Sequence, residues 1–278
     1  MRSTKALHTA WLLACLCIVV PASAGEKIIA ISDSLAANAD PQPVKVGNQW
    51  FGQITKYQIG EYAVVSSKRR STEIKTKSNF FQTKFERHSR SKFSFVMHDA
   101  GTGSISVEAV RHAMDESTHE ITARKSVRNS EMLQESDSCM ATMRVGGDTT
   151  ETWSLLKWSS TAPERRYEAY LSNGTRTVSL VPVRGASRAD STRKRSFFSR
   201  VAAGIMPPPL GYEFVENGRS IGALQTFGGL SRENRMLAWM DRRLDPQLRL
   251  VLAAAMTTVL QVESSSTGLE PPGEQEER

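Results

Sequence analysis

Cysteine is nearly missing from this 278-residue chain, which carries only Cys15, Cys17 and Cys139. Two of the three fall in a stretch that reads as a leader. Cys139 is then alone, and an intramolecular disulfide is excluded. A chain without a staple depends on its core, and about 250 residues suffice for one, most simply as a single domain. No apolar run reaches the ~20 residues of a spanning helix. H-E-x-x-H, the P-loop and the G-x-S-x-G elbow are also missing, so zincin, nucleotide-binding and α/β-hydrolase signatures have no footing.

Histidine is equally unpromising as a metal ligand. Past the leader stand His88, His98, His112 and His119. His112 and His119 lie seven apart with no second ligand cluster nearby, so no metal and no cofactor is expected. Gly101-Thr102-Gly103 lacks the third glycine and following helix of a phosphate cradle, and reads as a turn. Cys139 stands near Glu135 and Asp137, which disfavour a thiolate, so it reads as a buried or unreactive thiol. Asn173-Gly174-Thr175 matches a glycosylation sequon, but a turn explains it better.

What is present begins at the N-terminus. Arg2 and Lys5 precede an apolar core, Trp11 to Val20, and Pro21-Ala22-Ser23-Ala24 supplies a small-residue cleavage site. This predicts a secretory signal peptide over 1–24; lipoprotein processing at Cys15 is the alternative. With so few cysteines, a bacterial envelope or periplasm is the expected compartment.

Charge is unevenly spread. The formal net charge is +7. Between Ser66 and Lys92 nine cations (Lys68, Arg69, Arg70, Lys75, Lys77, Lys84, Arg87, Arg90, Lys92) face only Glu73 and Glu86. Arg184 to Arg200 holds six cations against Asp190, whereas five glutamates follow Val262. Such asymmetry points to an anionic partner or to a solvated face.

Alternation predicts strands through most of the chain. Phe93, Phe95 and Met97 alternate with polar residues, as do Ile105, Val107 and Ala109 beyond a Gly-rich turn. "QITKYQIGEYAVV" and "TTETWSLLKWSS" read as strands, and "NADPQP" as a loop. Asn173-Gly174 and Asn217-Gly218 predict two type I′ hairpins. A basic mobile loop is expected at about 184–205, and an acidic disordered tail over 264–278. The folded domain is then 25–263.

One helix stands out. Asp245 is a helix cap and Pro246 suits the first helical position. From Pro246 to Val262 the helix would run about 25 Å. Its uncharged part, Leu250 to Leu260, covers about 16 Å, roughly half a hydrocarbon core. It is apolar nearly all round and must be enclosed. The fold class expected is therefore mostly β (α+β), an antiparallel sheet or barrel of hairpins packed around one apolar C-terminal helix.

The final hairpin, Tyr212 to Phe227, followed by "RMLAWMDRRLDPQLRLVLAAAMTTVLQ", resembles the tubby-like and phospholipid-scramblase barrel superfamily. That resemblance implies a non-enzymatic, lipid-associated or structural barrel. It carries over no ligand contacts, and the basic loop after Val183 departs from the pattern.

The candidate binding residues combine cations with aromatics. Arg193-Lys194-Arg195 precedes Phe197-Phe198, and Lys68-Arg69-Arg70 opens a segment containing Phe80, Phe81, Phe85 and Phe93. Cations meet anionic head groups while Phe enters an interface. Anionic lipid, lipopolysaccharide or an acidic wall polymer is the expected partner; single-stranded nucleic acid would suit the same composition but is not expected outside the cell. The competing reading of 78–95 makes its Phe residues strand core and its charges the wet face. The expected function is a non-catalytic envelope protein associating through this basic surface. A hydrolase-like enzyme with a loop-built site and a structural subunit of an envelope assembly are the alternatives.

Overall fold

The computed structural model describes residues 29–46, 57–79, 84–99, 101, 103–121, 127–146, 151–161, 166–183, 209–226 and 236–266. From Ile29 the chain forms a short helix, α1 (Asp33–Ala36), then β1 (Gln42–Lys45), β2 (Gln58–Ile59), β3 (Tyr62–Arg69) and β4 (Glu73–Ser78). Three long strands follow: β5 (Lys84–Asp99), β6 (Gly103–Ile121) and β7 (Val127–Val145). The wall continues through β8 (Thr152–Ser160), β9 (Arg166–Ser172), β10 (Thr177–Val183), β11 (Gly211–Glu216), β12 (Arg219–Gln225) and β13 (Leu237–Met240). Helix α2 (Pro246–Ser266) completes the described chain. Residues 1–28 and 184–208 lie outside the described residues, and with them the predicted leader and basic loop.

The strands run in the order β3-β2-β1-β13-β12-β11-β10-β9-β8-β7-β6-β5, and β3 pairs with β5. That pairing closes an antiparallel barrel of twelve strands. Only part of β5 takes part in closure: Arg69↔Phe93 through Ala63↔His98 join it to β3, whereas Glu73↔Arg90 through Ser78↔Phe85 join its first half to β4. β4, the outer parts of β5 and β6, and the start of β7 therefore project from the barrel as a ribbon.

Helix α2 is the plug. Asp245 Oδ1 accepts the Leu248 N–H at 2.8 Å, capping the helix as predicted. Every residue from Leu250 to Val262 is at most 4% exposed, as full enclosure requires. Thr257 and Thr258 donate their hydroxyls to the Ala253 and Ala254 carbonyls, each at 2.9 Å, so neither polar group is stranded in the core. Gly222 brings β12 close: a Cβ there would lie 3.0 Å from Met256 Cε and 3.1 Å from the Trp239 carbonyl. Among the described residues, no helix is long and apolar enough to cross a membrane.

Outside the barrel, Ile29, Leu35 and Ala39 pack on Ala223, Leu237 and Trp239. β13 is covered by this segment on one face and by α2 on the other, which is why Leu-Ala-Trp-Met is buried throughout.

Three local expectations change. The helix runs on to Ser266, so the first residues of the expected tail are helical. Gln42 and Pro43, expected in a loop, begin β1. Asn217 and Gly218 take the positive φ values of a type I′ turn, 49° and 77°, but only Gly174 of the other pair does. There, Asn173 Oδ1 instead accepts the N–H groups of Thr175 and Arg176 at 3.1 and 2.8 Å, holding a longer, side-chain-closed loop.

Candidate functional site

A strand shows alternate residues to opposite faces, so cations spaced by two share a side. On β5 the outer face carries Glu86, His88, Arg90 and Lys92, while Phe93 and Phe95 turn to the core at 6% and 2% exposure. Lys75 and Lys77 of β4 are Cα partners of His88 and Glu86 and share that face. Lys68 of β3 pairs with Ser94, and the Arg70 N–H donates to the Lys92 carbonyl at 2.9 Å. His112 on β6 stands opposite Arg90.

These side chains line two adjoining grooves on the outside of β3 to β8. One holds Lys75, Lys77, His88, Arg90 and His112. The other, of about 640 Å³, holds Lys68, Arg70, Arg90 and Lys92 beside Val110 and Met140. Arg90 and His112 belong to both.

The nearby carboxylates are largely engaged with other groups. Glu86 Oε1 meets His88 Nε2 at 2.6 Å, which lowers the Glu86 pKa. Glu116 pairs with Lys84 at 2.7 Å and Glu108 with Arg144 at 3.8 Å. Among the described residues, no ion pair within 4 Å holds Lys68, Arg70, Lys75, Arg90 or Lys92. Glu73 is the Cα partner of Arg90 and sits in the first groove without such a pair. The face thus keeps a surplus of uncompensated positive charge.

The inner side of the same strands differs. Arg111 Nε donates to Asp137 Oδ1 at 2.8 Å, and Lys157 Nζ lies 3.8 Å from Asp137 and 3.0 Å from Glu263 on α2. Tyr212 donates its hydroxyl to Glu263 at 2.7 Å and stacks on Tyr167 with ring centres 6.0 Å apart. Burial pushes the Tyr212 phenol far up, keeping it a neutral donor. Two cations and two carboxylates cancel here, and the cluster ties the end of the plug to the wall.

Cys139 faces the core nearby at 1% exposure. Burial and then the Asp137 charge push its thiol up to about 12, so it holds no thiolate nucleophile at neutral pH. Among the described residues, no group of three or more His, Cys, Asp or Glu could hold a metal ion.

Of the residues picked from sequence, Lys68 and Arg70 join the basic face. Arg69 does not: it is the Cα partner of Phe93 and turns to the opposite side. Arg193, Lys194, Arg195, Phe197 and Phe198 lie outside the described residues. Arg90, Lys92, Lys75 and Lys77 also lie on this face, outside the candidate binding residues that the sequence offers. Their i, i+2 spacing inside a strand was the signal that would have found them. No protein-family model, curated protein or solved structure matches the chain.

Proposed function

We propose that the protein is an exported, non-catalytic component of a bacterial envelope whose barrel associates with an anionic partner through the outer face of β3 to β6. Anionic lipid, lipopolysaccharide and acidic wall polymer all carry the matching chemistry. One observation carries this reading: Lys68, Arg70, Lys75, Arg90 and Lys92 converge on one grooved surface without an ion-paired carboxylate. Cations in excess of the carboxylates on the same face raise the local concentration of anions and steer their approach. The Arg193-Lys194-Arg195 cluster is the proposed second basic arm. Kinship with the tubby-like and scramblase barrels belongs to the same proposal, supported by a closed barrel threaded by one apolar helix.

The test is binding of the purified protein to phosphatidylglycerol-containing vesicles and to polyphosphate across a salt series. Binding is expected at low salt and should weaken as salt rises. Arg90→Ser/Lys92→Ser and Arg193→Ser/Lys194→Ser/Arg195→Ser should each weaken it. No binding to either probe at low salt, or binding indifferent to salt, overturns the proposal.

A further inference from the structure

The basic face is one half of a surface whose other half is apolar. Val110 on β6, Met140 on β7, Leu156 on β8 and Tyr170 on β9 are successive Cα partners, so they form one row across four strands. Lys92 on β5 is the next partner in the same row. With strands about 4.8 Å apart, the apolar row spans about 14 Å and a cation stands at its end.

These side chains are on the outside of the wall. Met140 is 61% exposed and Tyr170 39%, and Val181 on neighbouring β10 is 45% exposed. Trp158 stands two residues along β8 from Leu156, on the same half-buried outer face. The row on one side, Glu108, Thr142, Ser154 and Ser172, is polar at every position. The apolar residues are therefore concentrated in a band rather than scattered, and scattered ones alone would need no explanation.

The two halves meet in one groove. Lys68, Arg70, Arg90 and Lys92 line it from the basic side, and Val110, Met140 and Leu156 from the apolar side. A soluble polyanion would satisfy the cations and leave the band wet. A bilayer surface offers phosphate to the cations and an apolar layer to the band within the same few ångströms.

We infer that this wall docks onto the surface of an anionic bilayer, with lipid phosphates on Lys68, Arg70, Arg90 and Lys92 and with Met140, Leu156 and Tyr170 entering the acyl boundary. The inference rests on the proposed association through the basic face and narrows its partner to lipid. In this arrangement the wall of the barrel lies against the membrane surface.

The experiment compares three probes: phosphatidylglycerol/phosphatidylcholine vesicles, pure phosphatidylcholine vesicles and soluble polyphosphate. Met140→Ser/Leu156→Ser should weaken binding to anionic vesicles about ten-fold or more while leaving polyphosphate binding within about two-fold. Arg90→Ser/Lys92→Ser should weaken both. Tyr170→Ser, a single change at an exposed position, repeats the test should the double variant not fold. Vesicle binding unchanged in the folded apolar variants overturns the inference and leaves the basic-face reading standing. Binding to polyphosphate alone does the same and assigns the face to a polymer. Binding to neither anionic probe overturns both.

Discussion

Lys157 Nζ lies 3.0 Å from Glu263 Oε1, joining a strand of the barrel wall to the final turns of the helix it encloses. The lysine is 6% exposed and the glutamate 20%. Removing one member of a fully buried pair costs about 3–5 kcal/mol, and residual solvent at Glu263 lowers that. Lys157→Met should therefore destabilise by about 2–3 kcal/mol. Adding Glu263→Gln should recover part of the loss, because the stranded charge disappears. Urea denaturation of the two variants checks this; equal stability of Lys157→Met and wild type would sink the tie.

Asp241 predicts an acid limb. Its side chain is fully buried, and Arg243 donates its Nε and backbone N–H to Oδ1 and its Nη2 to Oδ2, with Arg219 also on Oδ2. The Arg243 hydrogen bonds hold this carboxyl well below the usual carboxylate range. A depressed folded pKa stabilises fully above the unfolded value of about 3.9, and the gain is lost as pH falls through that value toward the folded one. Asp241→Asn should be less stable than wild type at neutral pH, with the gap closing below about pH 4. A gap that stays constant under acidification would falsify the assignment.

Cys139 predicts silence. A thiol pushed to about 12 and 1% exposed should resist iodoacetamide in the native state and react once denaturant opens the barrel. The measurement uses a Cys15→Ser/Cys17→Ser background so that Cys139 is the sole thiol. Rapid native labelling would return Cys139 to consideration as a nucleophile.

The sequence reveals α2 because every signal there agrees. Asp245 and Pro246 mark the start, and Leu250 to Leu260 is apolar on all sides, a pattern that only enclosure satisfies. The hairpin at Phe93–Ala109 is legible for a similar reason, since one face is dry and the other wet. The ribbon is not. In "KFERHSR" both faces of β5 meet solvent or half-solvent, so hydrophobic alternation vanishes although the strand continues. Backbone pairing with β4 and β6 holds it, and pairing leaves no trace in side-chain hydropathy.

The same blindness hides the basic face. Lys68-Arg69-Arg70 looks like one cluster in the chain, yet pleating sends Arg69 to the other side. The apolar band is less visible still, because Val110, Met140, Leu156 and Tyr170 come from four separate strands. Nothing in local spacing joins them; register does.

The order in which the barrel can be made follows from where its plug lies. The ring joins early chain to late: β1 pairs with β13, and the Ile29 N–H finds Gln225 across 196 residues of sequence. The segment that fills the interior follows even β13. Hairpins such as β5–β6 can zip locally on microsecond timescales, but distant pairing must wait for loop closure and is slow. Until Leu250 to Val262 has been synthesised, the inward faces of a dozen strands have nothing to close upon. A chain not yet complete through α2 is therefore an open apolar sheet exposed to aggregation, and closure of the barrel is timed by α2.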